Sequence, residues 1–283
     1  MPRERSTGIC LELILIAREI AVLAAAVAGA YTDWKTGYIY DWITLPLIAF
    51  GILANLLEQN YFGIALGTGV FALGYVLYYT GKLGGGDVKL YSGIALALPQ
   101  LNGGPFILSA AVFSSLSAIV FLSVYFLVKY AAKGIDWGYN KDGLLKAGAM
   151  AIGFAIYLEI ISGIAAVSRT FLMLFAVPVV FGCIFIAFER GIKKEFFLKK
   201  IKVSGIEEDE VIALEFMEKS EMEKIRACSG AKGIIGKKEK AELAKIGVKE
   251  ILVYRDLPRL GPFIFIGCVL AMLVPNISQL ITA

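Results

Sequence analysis

Eight apolar stretches separated by short polar connections constrain this chain more than any other feature. They cover residues 9–31, 42–57, 62–80, 88–99, 104–130, 144–166, 170–189 and 261–281; the fourth is short and the sixth carries Glu159. A helix needs about 20 apolar residues to cross the hydrocarbon of a bilayer. Inside lipid the backbone must satisfy its own hydrogen bonds, so single stretches of this kind fold as helices. Composition agrees: 58% of the 283 residues are hydrophobic and 18% are charged, whereas soluble domains carry about 25% charge. The expectation is an all-α polytopic membrane protein of about eight transmembrane helices.

The charge that remains is concentrated. Residues 190–259 hold 17 of the 28 lysines and arginines, which marks one polar insertion before the last helix. It reads as a small cytoplasmic α+β domain. Glu207-Glu208-Asp209-Glu210 opens a helical pattern through Arg226, Gly230–Gly236 is a loop, Lys237–Ile246 a short helix and Glu250–Tyr254 a strand. About 70 residues bury only a marginal core alone, so the block is expected to pack on the membrane helices. The expected division is a membrane core over 1–133, an additional two-helix region over 134–189, the soluble block 190–259 and the final helix in 260–283. No internal repeat of the inverted-transporter type is evident.

Loop charges orient the spans. Loops 32–41, 81–89, 131–143 and the polar block carry lysines, whereas loops 58–61 and 100–103 carry no Lys or Arg. The positive-inside rule puts the basic set in the cytoplasm and both termini outside, although Arg3 and Arg5 oppose this for the first span. The same arginines before an apolar run resemble a signal peptide. No small-residue cleavage site precedes a soluble domain, however, so the run is read as a span of a cell-membrane protein.

The inventory of reactive groups is narrow. With no histidine, Ser-His-Asp triads, Cys-His pairs and H-E-x-x-H zinc sites are excluded. Cys10, Cys183, Cys228 and Cys268 form no C-x-x-C pair, so no metal site, cofactor or disulfide framework is expected. The basic residues are juxtamembrane lysines, and nothing in the pattern points to nucleic acid. Acid–base chemistry falls to carboxylates, and carboxylates in or beside a membrane are expensive enough to be functional candidates. Glu12, Glu19 and Glu159 lie within apolar runs. Glu19 neighbours Arg18, which suggests ion pairing, while Glu159 has no basic residue within a turn or two.

Asp33, Asp41 and Asp87 lie at span boundaries on the expected cytoplasmic side. Asp87 ends the run Gly84-Gly85-Gly86-Asp87, in which absent Cβ atoms let backbone or an extended substrate come close to a carboxylate. Asp87 also suits a helix N-cap. Two aspartates brought together from different helices share one proton, because both cannot ionise easily at short range. Such a pair hydrolyses peptides without histidine, metal or serine.

Asp33, Ile39 and Thr44-Leu45-Pro46, followed by Gly84-Gly85-Gly86-Asp87-Val88-Lys89, resemble the motifs of the type IV prepilin peptidases and archaeal preflagellin (prearchaellin) peptidases, the GxGD intramembrane aspartic proteases. Ile251–Tyr254, Pro258 and Gly261-Pro262-Phe263 also resemble the archaeal enzymes, whereas residues 134–189 have no counterpart in the usual six helices. The resemblance implies that Asp33 and Asp87 are the catalytic pair, that Gly84 and Gly86 shape the loop beside Asp87, and that Lys89 supports the motif. It implies an endopeptidase removing the short basic leader of pilin-like or archaellin-like precursors at the cytoplasmic face of the lipid bilayer. The bacterial Cys-rich insert is absent, so methyltransferase activity is not implied.

Tyr40-Asp41 resembles the Tyr-Asp of presenilin and signal-peptide-peptidase proteases, which leaves Asp41 as the alternative partner of Asp87; otherwise Asp41 reads as the N-cap of the second span. Those enzymes carry a later Pro-Ala-Leu that this chain lacks. A cation- or proton-coupled transporter using Asp33, Asp87 and Glu159 is the alternative from another class.

Overall fold

The computed structural model of the chain describes residues 2–163, 168–205, 210–217, 234–235, 240–241, 250–274, 277 and 279. Eight α-helices are present among them: α1 (Pro2–Thr36), α2 (Asp41–Leu57), α3 (Tyr61–Tyr79), α4 (Gly85–Ala97), α5 (Phe106–Lys133), α6 (Lys141–Ser162), α7 (Arg169–Ile192) and α8 (Gly261–Leu273). Each corresponds to one of the eight apolar stretches. Five, α1, α3, α5, α6 and α7, are long and apolar enough to cross a membrane, whereas α2 and α8 are shorter apolar helices. The protein is a multi-pass membrane protein, mostly helical, with a small sheet near its C-terminal end.

Helix α4 sits at the centre, packed against α1, α2 and α3 and more lightly against α5; α8 lies between α1 and α5. From Leu90 onward α4 is almost wholly buried, with Leu90, Ile94 and Leu98 fully inaccessible. Helices in lipid gain little from apolar burial and associate through close packing, which small residues permit. A methyl group on Gly51 of α2 would sit 2.6 Å from the backbone of Leu96 and Ala97, and one on Gly74 of α3 would sit 2.7 Å from Val88. Glycine at these positions sets how near α4 its neighbours come. Helices α6 and α7 pair with each other and join the core through α7 on α5.

Thirteen residues make α4 about 20 Å long, against about 30 Å of hydrocarbon. Its last carbonyls lack intrahelical partners and, buried among the neighbouring helices, need donors. Arg18 of α1 donates to Ala97 O at 2.6 Å and Asn55 of α2 donates to Leu96 O at 2.8 Å. Arg18 is 4% exposed and also pairs with Glu58 at 2.9 Å and with Asn55 Oδ1 at 3.3 Å. The sequence suggested Glu19 as its partner. The ion pair instead runs to the end of α2, because Arg18 lies on the face of α1 that meets α4. Beyond α4, strands β1 (Gln100–Leu101) and β2 (Gly104–Pro105) form a minimal hairpin. Asn102 and Gly103 both take positive φ there, as a tight hairpin turn requires.

The polar block contains an antiparallel sheet of β3 (Leu198–Lys202), β4 (Glu210–Ile212), β5 (Ile234–Ile235) and β6 (Glu250–Tyr254), ordered β3-β6-β4-β5. Strand β6 is as expected from the sequence. Two expectations are corrected. Glu210 belongs to a strand rather than a helix, because Val211 and Ile212 are β-branched and Ile212 packs with Val203, Ile251 and Val253 in the sheet's own core. Ile234 and Ile235 pair with β4 instead of lying in a loop. Residues 207–209, 218–233 and most of 237–246 lie outside the described residues. The sheet joins the helices through aromatic packing, where Phe197 and Tyr254 meet Phe126, Tyr130 and Phe188 at the ends of α5 and α7.

Candidate active site

The chain direction brings one end of every helix to a common level: the C-terminal ends of α1, α3, α5 and α7 and the N-terminal ends of α2, α4, α6 and α8. Exposed Tyr31, Trp34, Tyr38, Tyr40 and Trp42 ring this end at α1 and α2. Aromatic side chains of this kind favour the membrane–water interface. Asp33 and Asp87 both lie at this level, on α1 and α4.

Asp33 occupies the last turn of α1 and is 6% exposed. Its Oδ2 accepts a 2.8 Å hydrogen bond from the backbone N–H of Gly261, the first residue of α8. Arg259, exposed just before that helix, adds a positive charge nearby. Asp87 is half-buried in the first turn of α4, within electrostatic reach of Asp33 and hydrogen-bonded by the backbone of Gly84. The N-cap of α4 is Gly84, so Asp87 is not the cap but the third helical residue. Its carboxylate reaches back to the cap's N–H, as the acidic residue of a capping box does.

The glycines have separate tasks. A methyl group on Gly84 would stand 2.7 Å from Asp87 Oδ2, and one on Gly86 would stand 2.9 Å from Ile39 O. Gly84 thus leaves room for the carboxylate, while Gly86 lets α4 close on the α1–α2 connection. Tyr91, one turn further along α4, hydrogen-bonds Ser114 of α5 and lies near Cys268 of α8 and Asp87. Among the described residues, no group of three or more His, Cys, Asp or Glu side chains is arranged to hold a metal ion.

The other sequence candidates lie apart from this pair. Asp41 is exposed and forms a 2.5 Å ion pair with Lys89. Its expected role as N-cap falls to Tyr40, since Asp41 is already the first residue of α2. Lys89 therefore braces α2 against α4. Glu159 sits exposed in the last turn of α6, at the opposite end of the bundle, on an open groove between α6 and α7 lined also by Leu158, Ser162 and Leu172.

Residues 20–127 match the model of the type IV leader peptidase family, and that segment contains both Asp33 and Asp87. The leader peptidases are aspartic peptidases, which agrees with a site made from two carboxylates. A curated relative, prepilin peptidase EppA of Methanothermobacter thermautotrophicus, is 33% identical over 150 residues, covering 44% of this chain and 39% of the relative. The chain thus spans about two fifths of that relative's length. No solved structure matches the chain. Gly261 and Arg259 lie outside the segment matched to the leader peptidase family, yet they border Asp33. The sequence signals for them were slight: a Gly-Pro opening the last span, and an arginine two residues earlier.

Proposed function

We propose that this protein is a membrane aspartic endopeptidase that removes short leader peptides from pilin-like or archaellin-like precursors. The observation that carries the reading is that Asp33 and Asp87 lie within electrostatic reach of each other at one end of the bundle, inside the segment matched to the leader peptidase family. Lysine-bearing loops at this end support a cytoplasmic location in the cell membrane. The precursor's apolar helix lies in the bilayer beside the enzyme, which brings the leader junction to the level of the two carboxylates. Residues 1–133 form the catalytic core, completed by the final helix in 260–283, with 134–189 and 190–259 as additions.

The chemistry follows from a shared proton. The ionised aspartate takes a proton from water as the water oxygen attacks the scissile carbonyl carbon, and the protonated aspartate donates to the carbonyl oxygen. Collapse of the tetrahedral diol returns a proton to the leaving nitrogen and breaks the C–N bond. The buried setting of Asp33 and the backbone donors from Gly84 and Gly261 fix both carboxylates before substrate arrives, so little reorganisation is left to the reaction.

Cleavage of a panel of pilin-like and archaellin-like precursors in membranes tests the reading. Asp33→Asn and Asp87→Asn each lower the rate on the order of 1,000-fold, as loss of a catalytic acid or base does, and Asp41→Asn retains it. Loss at Asp41 and Asp87 with Asp33 spared would move the enzyme to the presenilin-like class. A wild type that cleaves none of the panel would refute the reading.

A further inference from the structure

We infer that the start of the final helix is part of the catalytic site, with Gly261 acting as a positioning residue that holds Asp33 through its backbone N–H. This rests on the leader-peptidase reading and adds to it a component that the matched segment 20–127 does not contain.

Three observations converge on Gly261. Its N–H is 2.8 Å from Asp33 Oδ2 in a buried contact across 228 residues of sequence. Its lack of a side chain is required, because a Cβ there would meet Asp33 Cβ at 2.8 Å, Asp33 Oδ2 at 3.0 Å and Gly29 O at 3.1 Å. It is also the first residue of α8, so the N–H is one of the unpaired donors with which every helix begins. A carboxylate satisfies that donor, and the positive end of the helix dipole favours its charge. One contact thus serves both the helix start and the orientation of Asp33.

The segment leading to Gly261 is itself held at its far end. Asp256, with φ of 56°, pairs with Lys199 at 2.5 Å. Arg255 binds Glu210, and its backbone N–H donates to Phe197 O at 2.9 Å. Between Asp256 and Gly261 only Leu257, Pro258, Arg259 and Leu260 intervene. Where the sheet sits on the helices therefore limits where the Gly261 N–H can point. The polar block is the framework from which one donor of the site is suspended.

The test uses the full chain in liposomes with a cleavable precursor. Gly261→Ala keeps the N–H but forces the pair apart, so kcat falls on the order of 100-fold while KM stays within about twofold. Gly51→Ala, a comparable insertion between α2 and α4 remote from Asp33, lowers the unfolding midpoint and leaves the kcat of the folded protein unchanged. Wild-type kcat in folded Gly261→Ala overturns the positioning role, as does a rise in KM at constant kcat. The contact is read independently by oxidative cross-linking of an Asp33→Cys/Gly261→Cys double variant; a high yield is expected, and no cross-link overturns the inference. If the wild type cleaves no precursor, the leader-peptidase reading falls and the catalytic role with it, whereas the cross-link still reports the contact.

Discussion

At the scale of single residues, the two motif aspartates and the third one differ in what holds them. Asp33 and Asp87 are bound by backbone donors in buried or half-buried settings, whereas Asp41 and Lys89 meet at the surface. An exposed ion pair contributes about 0–1 kcal/mol. Lys89→Ala and Asp41→Asn should each therefore shift stability by less than about 1 kcal/mol in detergent unfolding experiments and keep most of the cleavage activity. A loss on the scale of the Asp33 and Asp87 variants would give Lys89 a part in the chemistry. The carboxylates themselves were legible because few occur beside apolar runs and because glycines precede Asp87. The Gly261 donor was not, since every residue has a backbone N–H and no local pattern says which one a carboxylate 228 residues away will accept.

At the scale of elements, α4 is the most constrained helix. It begins with glycines that admit neighbours and ends where Arg18 and Asn55 take up its final carbonyls. Loss of Arg18 leaves Ala97 O and Asn55 Oδ1 without that donor in the interior, whereas Glu58 is exposed. Arg18→Leu is expected to lower unfolding free energy by about 1–3 kcal/mol, the cost of a buried polar group left unsatisfied. Equal stability of Arg18→Leu and wild type would mean that water or lipid headgroups reach the end of α4. The eight helices could be read from hydrophobic length alone, because lipid leaves apolar segments one solution. The polar block was harder. Its acidic run resembles the start of a helix, and only pairing with β5 and β6, distant in sequence, makes Glu210–Ile212 a strand.

At the scale of the molecule, the sheet and the bundle meet at an aromatic and charged joint. Burial opposes ionisation of Glu215, but the Tyr254 hydroxyl and the Lys193 ammonium hold its carboxyl below the usual range. Burial and the Glu215 hydrogen bond push Tyr254 well above the usual tyrosine value. A carboxyl with a depressed folded pKa contributes stability above its unfolded value, which is lost as pH falls through the folded one; a raised tyrosine contributes below its unfolded value, and this is lost as pH rises. Docking of the sheet should therefore hold from mildly acidic pH to about pH 10, and loosen below about pH 4 and in strong alkali. Protease sensitivity of the 193–260 region across that range checks this, and Glu215→Gln should flatten the acidic limb.

The bond between Gly261 and Asp33 also has a consequence for biosynthesis. The acceptor leaves the ribosome 228 residues before its donor, which at about 5–20 residues per second is an interval of about 10–50 s. Throughout that interval Asp33 is in the membrane without the donor that later orients it. Asp33 and Asp87 are translated early, and the contact of Asp33 with the start of α8 forms only once that helix is made, so a newly made copy passes through most of its own synthesis with this end of the bundle incomplete.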